Sequence, residues 1–231
     1  MIVFELLRKV NRQVKQYKKN KAGRYLSPVR RIEQVHPLSN DRWCAMTFDD
    51  GPSMMPPNPY PSAQELRRIG LDPSIQNYGL SEVILTTLDA FGYKGTFDVI
   101  GTTAQNYPDE RGKLHTAKWG GQSHDHYPDL GKDHLGGLIN HPEIGVRMVG
   151  EGHEIANHGG RHILFGPIGV IYRSRSSLKD MDAVVDDLTM LHNHIFETTA
   201  HVAKLSRPPH YIDKVAGGFS AYDAYAEMGY Q

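Results

Sequence analysis

Residues 43–53 read WCAMTFDDGPS, and this stretch decides the fold class. The apolar run predicts a β-strand over Trp43–Phe48, and two adjacent carboxylates, Asp49 and Asp50, follow it before a Gly-Pro turn. In β/α barrels the carboxyl ends of the strands are where active sites are built. The two carboxylates are therefore candidate acid-base or metal-binding groups, although the same residues are also typical of an Asx turn.

Beyond this stretch, short apolar runs alternate with longer helical patterns, which predicts repeated β-then-α units and an α/β fold. Further strands are predicted at Gly95–Ile100, Glu154–Asn157 and Val202–Ser206. Helices are predicted at Ser81–Phe91 with Ser81 as N-cap, from Pro142 to about Val149, from near Ser177 through Ile195, and from near Ser220 almost to the end.

The composition of the chain argues against nucleic-acid binding and against a membrane-spanning protein. The chain has 231 residues with 26 Lys and Arg against 26 Asp and Glu, so it lacks the basic footprint of a nucleic-acid-binding protein. It contains no apolar run that could span a bilayer and no signal peptide, so the cytoplasm is the default expectation. Cys44 is the single cysteine, which excludes an internal disulfide, and it is predicted to be a buried strand residue.

The first 31 residues differ from the rest, with ten Lys and Arg against one acidic residue. We predict a basic helical leader over residues 1–31 and a second unit over residues 32–231. A solvated or docked helix is the favoured interpretation of the leader, and contact with an anionic membrane surface is the lesser one. Residues 101–140 are rich in Gly and His without periodicity, and a solvated polar loop is favoured there over a sugar cleft or a second metal site.

A second chemical motif is NHGGRH at residues 157–162, again after a predicted strand. His158 and His162 are four residues apart, and one helical turn would place both imidazoles on the same side, as two metal ligands need. Such a pair also arises by chance in a chain with 13 histidines. Together with one of the two aspartates, however, it makes a three-ligand site and leaves the other aspartate as a base.

The third motif is SRPPHY at residues 206–211, where a predicted strand ends in Arg207 followed by two prolines. An arginine close to Asp49 would keep that carboxylate ionised and oriented. The alternative is a surface arginine before a rigid turn.

These motifs resemble a known family. TFDDGPS at 47–53, GTFDVIG at 95–101, GHEIANHGGRH at 152–162 and SRPPHY at 206–211 occur in the order found in the polysaccharide deacetylase (NodB homology) domain of carbohydrate esterase family 4. The resemblance covers about residues 43–231. It implies a distorted, incomplete (β/α) barrel, one divalent metal ion with zinc as the first choice, and hydrolysis of an acetamide, or of an acetate ester, on an oligo- or polysaccharide.

Carried over residue by residue, the resemblance implies that Asp49 is the catalytic base and that Arg207 orients it. Asp50, His158 and His162 would hold the metal. The residues after the arginine, Pro209, His210 and Tyr211, are the predicted substrate-binding group.

Three features depart from the family pattern, one of which is residues 101–140, a segment much longer than the family's usual link between these strands. The family's final strands, with a Leu-x-His whose histidine acts as general acid, have no counterpart between His210 and Gln231. A truncated sequence is the favoured explanation; completion by another chain and a non-catalytic, metal-containing carbohydrate-binding domain are the alternatives. The third departure is Asp98, where the family has an apolar aromatic residue; it either faces the site or is hydrogen-bonded at a strand end.

Overall fold

A computed structural model describes residues 44–102, 113–119, 122–126, 135–166 and 177–230, with the backbone alone for 113–119 and 122–126. The predicted leader at 1–31 lies outside the described residues. In chain order the elements are β1 (Thr47–Gly51), α1 (Ala63–Arg68), α2 (Leu80–Ala90), β2 (Thr96–Val99), β3 (Lys113–Trp119), β4 (Gln122–His126), α3 (Pro142–Gly150), β5 (Glu154–Asn157), α4 (Met181–Thr199) and α5 (Ala221–Met228).

The strands β1, β2 and β5 form one parallel sheet in the order β1-β2-β5. Parallel strands need crossover connections, and the helices α1, α2 and α3 lie in these connections. The α/β class with a parallel sheet is therefore confirmed. All three strands end at the same edge, with Asp49 opposite Asp98 and Val99 opposite Asn157 in the register.

Two predicted strands differ from the structure. The first was placed at Trp43–Phe48, but β1 begins at Thr47 and includes both aspartates. Cys44 is consequently exposed rather than buried, because it precedes the strand. The strand predicted at Val202–Ser206 is wrong. Within this segment only Ser206 forms a bridge, and its partner is Asn157, the last residue of β5; the backbone of the segment hydrogen-bonds to β5 only at this end.

Two helices begin at residues other than those predicted, as their N-caps show. Ser81 does not cap α2, since its hydroxyl oxygen accepts a hydrogen bond from the Ser53 amide at 2.8 Å and the N-cap is Gly79. The long helix α4 begins at Met181 rather than near Ser177, because Asp180 caps it by accepting a bond from the Ala183 amide at 2.9 Å.

The other predicted helices agree better with the structure. The helix predicted from Pro142 to about Val149 is α3, and the one predicted near Ser220 is α5, with Ser220 as N-cap. The 101–140 segment was predicted to lack regular structure, yet it contains the antiparallel pair β3 and β4.

The helix α4 packs in two apolar clusters at once. Its second half joins a cluster with α2, α3, β2 and β5, and its first half joins one with α5, Ile163 and Phe165. Because α4 lies between these clusters, it is held from both sides and passes behind the end of β5. Within the described residues, no helix combines the length and the apolar character that a membrane span requires.

Candidate active site

Two neighbouring carboxylates leave β1 in different directions. Asp49 keeps the regular register opposite Asp98, whereas the register is broken between Asp49 and Gly51, and Asp50 has a positive φ of 66°. Adjacent strand residues normally point to opposite faces, and an irregularity of this kind turns a side chain to a new direction. As a result, both carboxylates lie at the carboxyl edge of the sheet but contact different partners.

The two histidines of the second motif lie on a turn after β5. The spacing predicted a helical turn, but the backbone here is not helical, because Gly159 has a φ of 90° and His162 a φ of 51°. The turn nevertheless places the two imidazole rings side by side, with centroids 5.1 Å apart. Both side chains are buried, at 2% and 3% exposure for His158 and His162.

Asp50 lies directly against both rings. Its Oδ1 is 3.1 Å from Nε2 of His158 and 2.9 Å from Nε2 of His162. Partial desolvation alone would raise the pKa of Asp50, but hydrogen bonds from the two imidazoles outweigh it and hold that pKa well below its usual range. The carboxylate is therefore ionised and aimed at the two ring nitrogens.

These three side chains fit a metal ion. Within the described residues, one ligand atom of each lies within 4.8 Å of the others. Nδ1 of His158 donates a hydrogen bond to the Arg207 carbonyl at 2.8 Å, so Nε2 is the ring nitrogen directed into the site, and it can serve as a metal ligand once it gives up the proton that it shares with Asp50. Zinc binds such nitrogen and oxygen donors at about 2.0–2.2 Å, which places ligand atoms of one ion roughly 3 Å apart. The spacing around Asp50 agrees with that requirement.

Arg207 connects this cluster to the second carboxylate. Its Nη1 lies 2.5 Å from Oδ1 of Asp49 and 3.2 Å from the hydroxyl oxygen of Thr47. Tyr211 donates a hydrogen bond from its hydroxyl group to Oδ2 of Asp49 at 2.9 Å. Both oxygens of Asp49 are thus engaged, and the carboxylate has one fixed orientation.

Asp98 is a third carboxylate at the same edge. It is 3% exposed, and its Oδ2 lies 3.3 Å from Nη1 of Arg207. Burial, together with the negative charge of Asp49, raises the pKa of Asp98 to about 6, although Arg207 opposes the increase. Of the two readings that the sequence left open, the one in which Asp98 faces the site agrees with these contacts.

The predicted substrate-binding residues occupy three different environments. Pro209 is buried close to Gly159 of the histidine turn, and the centroids of the His210 and His162 rings are 4.7 Å apart. Tyr211 is 70% exposed beside Asp49. The structure thus places the predicted site residues within one edge of the sheet, and their contacts with a substrate stay a prediction.

Sequence reasoning missed two residues that hold the histidine turn. Asn157 donates to the Leu188 carbonyl at 2.8 Å and accepts from the Gly159 amide at 3.0 Å. Asp187, on α4, accepts from the Gly160 amide at 2.7 Å. A signal for Asp187 was present, because it falls within the apolar stripe of its helix, where a charged residue requires a buried partner.

Comparison with known protein families identifies the family of this chain. The polysaccharide deacetylase family profile matches residues 38–211. Since this match spans more than half of the chain, the protein belongs to the polysaccharide deacetylase family. No curated protein matches the sequence significantly.

Solved structures similar to the chain include a peptidoglycan deacetylase, PdaC, from Bacillus subtilis, with 17% identity, a TM-score of 0.41, and coverage of 81% of this chain and 55% of that one. A family 4 carbohydrate esterase from Bacillus anthracis has 20% identity, a TM-score of 0.39, and coverage of 80% and 55%. A CE4 family pseudoenzyme from Bacillus anthracis has 13% identity, a TM-score of 0.39, and coverage of 81% and 40%. The chain therefore spans about half the length of these proteins.

Proposed function

We propose that the protein is a metal-dependent hydrolase that removes acetyl groups from N-acetylated carbohydrate, with O-acetyl esters as a second substrate class. The observation that carries the proposal is the position of Asp49 beside a three-donor cluster. Asp50, His158 and His162 offer ligand atoms within 4.8 Å of one another, and Asp49 immediately precedes Asp50 on β1. Membership of the polysaccharide deacetylase family supports the carbohydrate substrate.

In this proposal, Asp50, His158 and His162 hold one divalent cation, with zinc as the first choice for a carboxylate and two imidazoles. Such a cation supplies Lewis-acid polarisation of the acetyl carbonyl and makes a water molecule more acidic at neutral pH. The hydrogen bond from Nδ1 of His158 to the Arg207 carbonyl fixes the tautomer that leaves Nε2 available as a ligand.

Asp49 is the proposed general base, which accepts a proton from the attacking water. Arg207 holds this carboxylate in one direction through the contact at 2.5 Å with Oδ1. Oδ2 is bonded to the hydroxyl group of Tyr211, which is exposed enough to be displaced by an entering sugar. The proton held by Asp49 can then return to the leaving nitrogen, with His210 beside the metal ligands as a second proton donor.

The same proposal extends to the domain organisation. We assign residues 32–231 to a deacetylase-like domain with a distorted, incomplete (β/α) barrel and residues 1–31 to a basic leader. An acetylated oligo- or polysaccharide is the partner we expect, and Pro209, His210 and Tyr211 are the residues we expect against it. Deleting residues 1–31 and measuring liposome binding and acetate release tests whether the leader contributes to either.

A second candidate is a non-catalytic, metal-containing carbohydrate-binding domain. The observation that favours it is that both oxygens of Asp49 already have partners, Arg207 and Tyr211. A base in this state accepts a proton only after one partner leaves. The two candidates differ in one measurable property, since only the first releases acetate.

The test is acetate release from a panel of N-acetylated and O-acetylated oligosaccharides by zinc-loaded protein. Asp49→Asn keeps the size of the side chain but removes the base, and we expect activity to fall by about 10²–10⁴. Zinc stoichiometry should stay unchanged in this variant, whereas His158→Ala should lose the metal. Asp89→Asn, at an exposed position on α2, is the matched control.

Each outcome supports one candidate. Acetate release that is lost in Asp49→Asn and retained in Asp89→Asn supports the hydrolase. Zinc binding and sugar binding without acetate release supports the binding domain. Acetate release that is unchanged in Asp49→Asn would show that the base is a different group.

A further inference from the structure

Asp187 is a buried carboxylate on α4, outside the groups assigned above. Its side chain has 0% exposure. A charge in this environment is unfavourable unless hydrogen bonds and an opposite charge compensate it. Both oxygens of Asp187 are used in this way, since Oδ2 accepts from the Gly160 amide at 2.7 Å and Oδ1 accepts from Nε of Arg161 at 2.6 Å.

The two donors are consecutive residues of the histidine turn. Gly160 and Arg161 lie between His158 and His162, so the carboxylate of Asp187 reaches the turn from behind while the imidazoles face Asp50 on the other side. Within the described residues, every side-chain hydrogen bond of Asp187 goes to this turn. The side chain of Asp187 therefore binds the histidine turn, while its backbone forms part of α4.

The packing of Gly160 shows how closely the turn is seated. A Cβ atom at this position would lie 2.7 Å from the backbone oxygen of Asp187 and 2.3 Å from Cε of Met190. Only a glycine permits the turn to approach the helix backbone this closely. At this short separation the amide of Gly160 donates its hydrogen bond to the carboxylate of Asp187, and this contact fixes the distance between the turn and α4.

The turn needs such support because its own backbone is not in a low-energy conformation. His162, which is not a glycine, has a φ of 51°, in a region that only a few per cent of non-glycine residues occupy. Contacts from surrounding elements must hold it there. Asn157 does so at the start of the turn, and Asp187 does so at its centre.

We propose that Asp187 is a positioning residue for the metal site: its carboxylate holds Gly160 and Arg161 so that the His158 and His162 imidazoles converge on Asp50. The inference rests on the proposed function, in that it assumes these three side chains bind a divalent cation. Asp187 itself touches neither the cation nor the substrate. It acts by reducing the number of arrangements that the two histidines adopt before metal binds.

The test is titration of the full-length protein with Co²⁺, which gives both an affinity and an absorption spectrum that depends on ligand geometry. Asp187→Asn preserves the shape of the side chain and one acceptor oxygen but removes the charge. We expect it to weaken Co²⁺ binding by about 10- to 100-fold, the range found when groups that orient metal ligands are removed. The spectrum should change as well, which a loss of global stability alone would not produce in the folded protein.

Asp186→Asn is the matched control, because Asp186 is the preceding residue of the same helix but is exposed. We expect it to bind Co²⁺ as the wild type does. Arg161→Gln removes one of the two bonds from a half-exposed side chain, so it gives a second route if Asp187→Asn does not fold. We expect it to weaken binding by less than Asp187→Asn, with the same change in spectrum.

The outcomes separate this inference from the proposed function. Wild-type affinity and spectrum in folded Asp187→Asn, or in Arg161→Gln where the first variant does not fold, would overturn the positioning role and leave the metal site intact. Failure of the wild-type protein to bind Co²⁺ or Zn²⁺ would overturn the metal site, and the positioning role with it. Equal weakening in Asp186→Asn would show a general effect of helix charge and would also overturn the inference.

Discussion

Replacing Asp98 by asparagine should stabilise the protein at neutral pH and leave its stability nearly unchanged at acidic pH. Asp98 is 3% exposed and lies opposite Asp49 on the adjacent strand. Burial in the first place, and then the charge of Asp49, raise the pKa of Asp98 to about 6 against the opposing effect of Arg207. Asparagine resembles the protonated acid in shape and removes the charge that the site disfavours.

The size of the effect follows from the two pKa values of Asp98. Its ordinary value is 3.8 and its folded value is about 6. At 1.36 kcal/mol per pKa unit, this difference corresponds to about 3 kcal/mol as an upper limit. With that limit as the upper end of the range, we expect Asp98→Asn to be more stable than the wild type by about 1–3 kcal/mol at neutral pH.

The sign is fixed by proton linkage. Since the pKa of Asp98 is higher in the folded state, that state binds the proton more tightly than the unfolded chain. The free energy of unfolding contributed by Asp98 therefore decreases as pH rises from about 4 to about 6 and is constant above that range. Asparagine has no such dependence, so the difference between variant and wild type should appear across this interval.

Urea unfolding of metal-free protein in chelator, at a series of pH values from about 4 to about 8, measures this difference directly. Asp89→Asn, on an exposed helical position, controls for a general change in net charge. A stability difference between Asp98→Asn and wild type that is constant over the whole series would refute the reasoning. So would a variant that is less stable than wild type at neutral pH.

Two further predictions concern other groups. Tyr211→Phe removes an exposed hydroxyl group from Oδ2 of Asp49, so we expect kcat/KM for acetate release to be equal to or higher than that of wild type; a decrease of about tenfold or more would place the hydroxyl group in the chemistry instead. His153 has a side chain with 0% exposure, and burial lowers its pKa, so the unfolded chain binds its proton more tightly and the free energy of unfolding falls as pH drops below about 6.5. Urea titrations of His153→Gln should show a smaller loss between about pH 8 and pH 5 than wild type, and an equal loss would exclude His153 as the cause.

The convergence of the first two motifs could be expected from the sequence because each follows a predicted strand that the structure contains, β1 and β5. Parallel strands bring their carboxyl ends to one edge, so residues as distant as Asp49 and His158 can meet once the strand ends are known. The backbone conformation between the two histidines was harder to predict. The histidines were expected on a helical turn, and the structure instead uses a turn with positive φ at Gly159 and His162. Spacing alone does not distinguish these backbones, because both bring residues four apart onto one side.

The helical periodicity of α4 distinguishes Asp187, which lies in the apolar stripe, from its exposed neighbour Asp186. The partners of its carboxylate, however, follow only from the packing of α4 against the histidine turn. The strand predicted at Val202–Ser206 failed for a related reason. Its apolar pattern is not enough to make a strand, since Val202 is exposed and the segment forms a bridge to β5 only through Ser206.

Arg207 joins the two halves of the site through different parts of the same residue. Its carbonyl accepts the hydrogen bond that fixes the ring of His158, and its guanidinium group holds Asp49. Its amide in turn donates to the Asn157 carbonyl at 3.3 Å, next to the first histidine. A substitution of the side chain should therefore affect the base and leave the metal donors in place, whereas a displacement of the backbone at this residue would change both. This double role depends on the position of Arg207 beside the end of β5, where its backbone bonds to Asn157 while its side chain reaches Asp49 on β1.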